Sequence, residues 1–130
     1  MNLAFRRELI PAMYFPLMGE GQPFDRFDDI WAGILVKKVL DTLGARACTG
    51  LPVVEHTRAS NPLNNLVAEA PGILYNESFW RIVDSIPSEK SDTVAGIYDH
   101  LAGWLQSDSK LGSYLNTLGK AMFAWLEICR

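Results

Sequence analysis

The sequence predicts a mixed α/β protein that closes in an α-helical hairpin, and three patterns lead to that class. Thr49, Val53 and Val54 surround a Gly50-Leu51-Pro52 break, the composition of a bent strand or a strand pair. Apolar residues return at helical spacing between Asp28 and Leu43. Two further stripes of helical spacing fill the last third and are separated by Ser107-Asp108-Ser109. The front is therefore mixed to about residue 70, and the remainder is helical.

Each element has its own justification. Asn2-Leu3-Ala4-Phe5 reads as a short strand, and Arg7 to Phe15 as a short helix interrupted by Pro11. Pro16 to Pro23 holds Gly19, Gly21 and two prolines, and reads as a loop. The first long helix spans Asp28 to Leu43, with Ile30, Trp31, Ile34, Leu35, Val39 and Leu43 on its apolar face. Asp28 and Asp29 lie in its first turn, where the helix dipole favours negative charge, and Gly44 fits the position just past its end. Ser60 or Asn61 caps the next helix, with Pro62 at its first position. That helix is expected to run to about Glu69, Pro71-Gly72 to end it, and Leu74 to Val83 to form a separate short helix. Val94, Ile97, Tyr98, Leu101, Trp104 and Leu105 form one stripe of the hairpin, and Leu111, Leu115, Leu118, Met122, Trp125 and Cys129 the other. Such stripes serve as core or as a coiled-coil seam for a partner.

Composition narrows the class further. A chain of 130 residues with 48% hydrophobic and 21% charged side chains has apolar material for a core. The net charge is −3 and there is no basic run, which argues against nucleic-acid binding by phosphate neutralisation. No stretch reaches the ~20 apolar residues of a membrane span. Cys48 and Cys129 are far apart and lack CxxC spacing, so a cysteine-based zinc site is not expected. Both read as buried free thiols in a reducing cytosol.

Chemistry concentrates in the front. Asp28 and Asp29 follow a glycine-bearing loop and point ~100° apart on a helix, so one can cap while the other faces a cleft and binds a metal, a sugar hydroxyl or a proton. The alternative is that both serve only the cap and the dipole. His56 sits at the end of an expected strand, where one ring nitrogen can reach a metal; taken alone, an ordinary hydrogen-bonded histidine is the better reading. Arg58 can grip phosphate oxygens bidentately or be a surface cation. Gly19-Glu20-Gly21-Gln22-Pro23 permits close backbone approach to a ligand, but lacks the glycine pattern of nucleotide loops.

Taken in order, several short segments resemble the reversibly glycosylated polypeptide, or UDP-arabinopyranose mutase, family. They are Met1-Asn2-Leu3-Ala4-Phe5, Arg7-Glu8-Leu9-Ile10, Pro11-Ala12-Met13-Tyr14-Phe15, Leu17-Met18-Gly19, Gly21-Gln22-Pro23, Arg26, Asp28-Asp29 and Trp31-Ala32-Gly33. Thr49-Gly50-Leu51-Pro52, His56, Ala59-Ser60-Asn61-Pro62 and Asn65-Leu66 complete the resemblance, which covers roughly residues 1–75. No segment beyond Tyr75 carries it. Three departures stand out: a glycine is missing between Ile10 and Pro11, Ile34 replaces a tryptophan, and Arg58 replaces a lysine.

The resemblance implies a GT-A-like Rossmann-type α/β fold, of which this chain matches the C-terminal half. It divides the chain into a catalytic segment, residues 1–75, and a helical tail, residues 76–130, packing on it. It implies a UDP-sugar substrate, a divalent metal (Mn2+ or Mg2+), and either sugar-ring isomerisation or glycosyl transfer. By resemblance, Asp28 and Asp29 are catalytic, Trp31, Arg58 and Asn61 bind substrate, and His56 holds the metal. The family's aspartate-rich metal motif, uracil-binding strands and glycosylated arginine lie upstream of the matched segment. The chain alone is therefore expected to be inactive and to need an upstream half chain or a homo-oligomer. A cytoplasmic, or in plants Golgi-peripheral, location follows from the same resemblance. A non-catalytic assembly module that binds through the helical hairpin is the alternative reading.

Overall fold

A computed structural model describes residues 3–51, 55, 61–88, 91–107 and 112–130. These residues build a short 3-10 helix, Arg7–Ala12, and four α-helices: α1, Asp28–Thr42; α2, Pro62–Ser85; α3, Val94–Ser107; and α4, Ser113–Ile128. Among the described residues there is no strand, which overturns the expected α/β, GT-A-like Rossmann-type fold. Leu3 to Phe5 and Ala45 to Leu51 are exposed and belong to no ladder. Strand propensity records how a side chain fits a half-buried pleated surface, and without a neighbouring edge these segments have nothing to pair with.

The α1 start and stop follow the sequence closely. Gly44, at a φ of +66°, follows the helix, and the Ala45 amide donates to the Leu40 carbonyl at 2.8 Å while the Gly44 amide donates to that of Asp41 at 3.1 Å. This is the paired carbonyl capping of a Schellman end.

Helix α2 departs from expectation. It is one helix of 24 residues with Pro71 inside it, rather than two short helices broken at Pro71-Gly72. Proline removes one amide donor from the ladder, but Pro71 is exposed, and so is Val67, whose carbonyl the missing amide would have met. A carbonyl on an exposed residue is open to water, so the penalty is smaller than in a buried helix. The buried face of α2, Gly72, Phe79 and Val83, lies entirely after the proline.

Contacts along α1 and α2 advance together: Arg26 meets Asn65, Trp31 meets Asn76, and the Lys38 ammonium donates to the Asp84 carbonyl. The two helices are therefore parallel, with their N-termini at the same end. Helices α3 and α4 form the expected antiparallel hairpin and the most extensive interface of the fold. Ile97, Leu101 and Leu105 of α3 and Leu115, Leu118 and Met122 of α4 are buried in the common core. Most of the stripes considered as a partner seam are thus packed within the chain, with Trp104 left exposed; Leu111 lies outside the described residues. The N-terminal segment runs back along α4, with the Trp125 indole donating to the Ile10 carbonyl at 3.3 Å and the Tyr114 hydroxyl to the Leu17 carbonyl at 3.1 Å. Contrary to the buried thiols expected, Cys48 is exposed and Cys129 only partly buried; both are free. Cys48 lies in the exposed stretch after α1, where nothing covers it.

The hairpin is close-packed at one point. A Cβ on Gly119 of α4 would lie 2.6 Å from the Ala102 carbonyl oxygen and 2.7 Å from the Gln106 amide nitrogen. Both are backbone atoms of α3 and neither can swing away. Gly103 tells the opposite story: the nearest atom to an added Cβ is the Phe123 ring at 3.8 Å. Gly119→Ala is expected to destabilise by about 1–3 kcal/mol through overpacking, whereas Gly103→Ala stabilises by roughly 0.5–1 kcal/mol through helix propensity. Urea melts of the two variants give the comparison directly, and equal midpoints would refute this account of the interface.

Candidate functional site

The paired aspartates begin α1, and what fixes them is an aromatic cluster beneath. Trp31 is fully buried. Its ring stacks on Phe79 at 4.4 Å between centroids, meets Phe24 edge-on at 4.8 Å, and approaches Tyr75 and Tyr114 at 5.9 Å. Its indole N–H donates to Asn76 Oδ1 at 3.1 Å, so the one polar atom of a buried ring is satisfied. Trp31 thus presents no surface to a ligand in this arrangement and acts on the site from below, by packing.

The residue before the aspartates is strained. Phe27 has a φ of +118°, a region that bulky residues rarely enter and that costs of order 1–3 kcal/mol. Burial of its ring offsets the cost, and Gly72 of α2 provides the space. A Cβ there would meet the Phe27 ring at 2.7 Å and the Arg26 carbonyl at 3.1 Å. Arg26 is tied to α2 as well, donating from Nη1 to Asn65 Oδ1 at 2.9 Å and facing Glu69 at 3.5 Å. The glycine-bearing loop upstream closes on itself, with the Gly19 amide donating to the Phe24 carbonyl at 2.8 Å and the Gln22 amide to that of Gly19 at 2.9 Å. In this structure the loop delivers Phe24 into the aromatic cluster.

On this base the two carboxylates differ. Asp29 is exposed, and its Oδ1 accepts from the Ile30 amide at 2.8 Å, so one oxygen is spent on the helix start. Asp28 is half-buried. It lies close enough to Tyr114 that its negative charge helps burial to raise the Tyr114 hydroxyl far above the ordinary tyrosine range. Tyr114 belongs to α4, so the site joins the front of the chain to the hairpin.

Asn61 caps α2, its Oδ1 accepting from the Leu63 amide at 3.0 Å and the Asn64 amide at 3.3 Å. Because α1 and α2 are parallel, Asn61 and the two aspartates lie at the same end, where both helices present partial positive charge. His56 and Arg58 lie outside the described residues. Among the described residues no group of three or more histidine, cysteine, aspartate or glutamate side chains converges, so these residues alone do not form a cation site. Asn76 and Tyr114 were not singled out from the sequence. Tyr114 carried no signal in the sequence.

With the geometry in place, the kinship of the chain can be stated. The sequence model described as Reversibly glycosylated polypeptide matches residues 1–130. The chain belongs to the reversibly glycosylated polypeptide family. The match includes the hairpin, beyond the 1–75 resemblance read from motifs. Among its relatives are a probable UDP-arabinopyranose mutase 1 of Zea mays, 47% identical over 132 residues, covering 98% of this chain and 36% of the maize protein. UDP-arabinopyranose mutase 1 of Arabidopsis thaliana is 44% identical over 130 residues, and UDP-arabinopyranose mutase 1 of Oryza sativa subsp. japonica 45% over 131, each covering 98% of this chain and 36% of the relative. The chain thus spans 36% of the length of these curated relatives. No solved structure matches it. No helix among the described residues is long and apolar enough to cross a membrane.

Buried tyrosines make this family member sensitive to alkali. Burial raises Tyr98 and Tyr114 far above the ordinary value of 10.0, and the Tyr98 hydroxyl has no hydrogen-bond partner among the described residues. Above pH 10 the unfolded chain loses these protons while the folded chain keeps them. The folded state then binds more protons, so stability is full below pH 10 and falls as pH rises. Tyr98→Phe removes the unpartnered hydroxyl, so the variant is expected to match or exceed the parent at pH 7 and to lose less stability between pH 9 and pH 11. Thermal melts across that range test both expectations, and parallel pH profiles for parent and variant would contradict them.

Proposed function

We propose that this chain supplies the sugar-side part of a UDP-sugar mutase, acting on the UDP-arabinopyranose that its relatives' names carry, with the remaining nucleotide-binding machinery outside the 130 residues. The observation that carries the reading is the match of the whole chain to these mutases, with identities of 43–47% among the relatives aligned to it. The site geometry fits. Asp28 is a half-buried carboxylate whose charge reaches Tyr114, at the shared end of two parallel helices. Such a carboxylate can accept hydrogen bonds from sugar hydroxyls or take up a proton as the ring opens and closes. Asp29 keeps one oxygen on the helix start and leaves the other for a hydroxyl. Trp31 positions both through the cluster, and Asn61 and Arg58 are assigned to the diphosphate side.

A divalent cation, manganese or magnesium, belongs to the proposal with His56 as its ligand. The described residues do not complete its coordination set, so no step is routed through it. A cytoplasmic location and glycosyl transfer as a variant chemistry rest on the resemblance alone.

The test is a chimera in which this chain replaces the matched 132 residues of the maize relative. It is expected to interconvert the pyranose and furanose forms of UDP-arabinose, followed by chromatography of the nucleotide sugars. Asp28→Asn should lower kcat by about 10²-fold or more with an unchanged melting temperature. A chimera that folds and is inactive, or an Asp28→Asn variant of undiminished kcat, would overturn the assignment.

A further inference from the structure

Helix α2 is apolar on two opposite faces. One face, with Gly72, Phe79 and Val83, enters the core. The other carries Leu63, Leu66, Val67, Ile73, Leu74 and Trp80, all exposed, with Leu74 at 85%, Val67 at 76% and Leu63 at 72%. At about 100° per residue these six positions fall within an arc of roughly 140°. Surface helices normally turn a polar face to water, and a helix apolar on both sides has the pattern of one packed on both sides. Single exposed apolar residues such as Leu51 and Ile128 need no explanation; the N-terminal segment, with Leu3, Phe5, Ile10, Phe15 and Leu17, is a second exposed apolar stretch.

The bare face continues into a groove of about 310 Å3 between α1 and α2, lined by Ile30, Ile34, Lys37 and Trp80 among others. From Pro62 to Asn76 the only charged side chain is Glu69, and Arg26 engages it. Between Leu63 and Leu74, whatever covers this face therefore meets an apolar surface, and around Trp80 it also meets the exposed Glu77–Arg81 pair and the charged groove residues Lys37, Lys38, Asp41 and Asp84.

We infer that the outer face of α2 is the docking surface for the remaining chain of the full-length family protein, the larger part of each relative's length that the matched 36% leaves out. A tethered segment reaches such a face at high effective concentration, and it is chemically the simplest occupant, since burial of six large apolar side chains in one strip needs an extended partner surface. The family assignment supports this inference, and its test reads stability, so it stands or falls independently of catalysis.

The double substitution Leu66→Glu with Leu74→Glu is placed both in the 130-residue chain and in the maize chimera. In the 130-residue chain, where both residues face water, the melting temperature should not move. In the chimera it should fall by about 4 °C or more, and Ile128→Glu should leave both proteins unchanged. Equal shifts in the two proteins, or none in the chimera, overturn the inference. So does sedimentation of the 130-residue chain as a dimer that the double variant dissociates, because the occupant is then a second copy. If the chimera does not fold, the tagged chain is co-expressed with the rest of the maize protein as a separate chain. Co-purification in equal amounts, lost in the double variant, supports the inference, and no co-purification of the unsubstituted pair overturns it.

Discussion

The structure depends on the packing around Trp31. Six aromatic rings from three parts of the chain meet there: Phe24 and Phe27 before α1, Trp31 within it, Tyr75 and Phe79 of α2, and Tyr114 of α4. Each well-placed aromatic pair adds ~0.5–1.5 kcal/mol beyond the area it buries. The cluster links the front of the chain to the hairpin without any buried charge. It also anchors the pairing of α1 and α2, because Trp31 stacks on Phe79 while Asn76, one turn earlier on the same helix, takes the indole proton, and the flanking contacts of Arg26 with Asn65 and Lys38 with Asp84 make that pairing parallel. No single contact fixes direction along the helix; together they set its register.

A rigid base under a polar end is a familiar arrangement for binding sites. Here the base is assembled from residues distant in sequence, and the polar end is the start of α1. The strain at Phe27 is confined to the residue before Asp28, where the chain must turn from the loop into the helix while burying a large ring. The helix therefore starts at one fixed point, and the aspartates cannot shift by a residue without unseating the ring.

Much of the helical architecture was legible in the sequence, and the reasons are local. The Gly44 end, the Asn61 cap with Pro62 after it, and both arms of the hairpin depend on capping chemistry and apolar period, which neighbouring residues determine; the Asp28 start also rests on the Phe27 ring seated on Gly72, with no side-chain cap. The errors came where tertiary context decides. Thr49 and its neighbours suggested a strand, but strand formation needs a partner edge that no local pattern reveals; Val53 and Val54, part of the same expectation, lie outside the described residues. Pro71-Gly72 suggested a break, yet the proline faces water and the glycine faces Phe27, so each is tolerated for a reason on the far side of the fold. The paired aspartates were visible as a site from their position alone. Tyr114, which gives Asp28 its neighbour, was invisible because it comes from the opposite end of the chain. The family resemblance read from motifs stopped at Tyr75, although the hairpin belongs to the same family match.

The seat of Phe27 on Gly72 has a consequence for how this sequence can diverge. The ring occupies the volume that any side chain at position 72 would need, and the backbone at position 27 tolerates its conformation only while that ring is buried. Neither position can drift by itself: enlarging one ejects the other, and shrinking the ring leaves a void above α2 and an uncompensated turn before the aspartates. A change at one position therefore requires a matching change at the other, and altering the pair together would also reset where α1 begins.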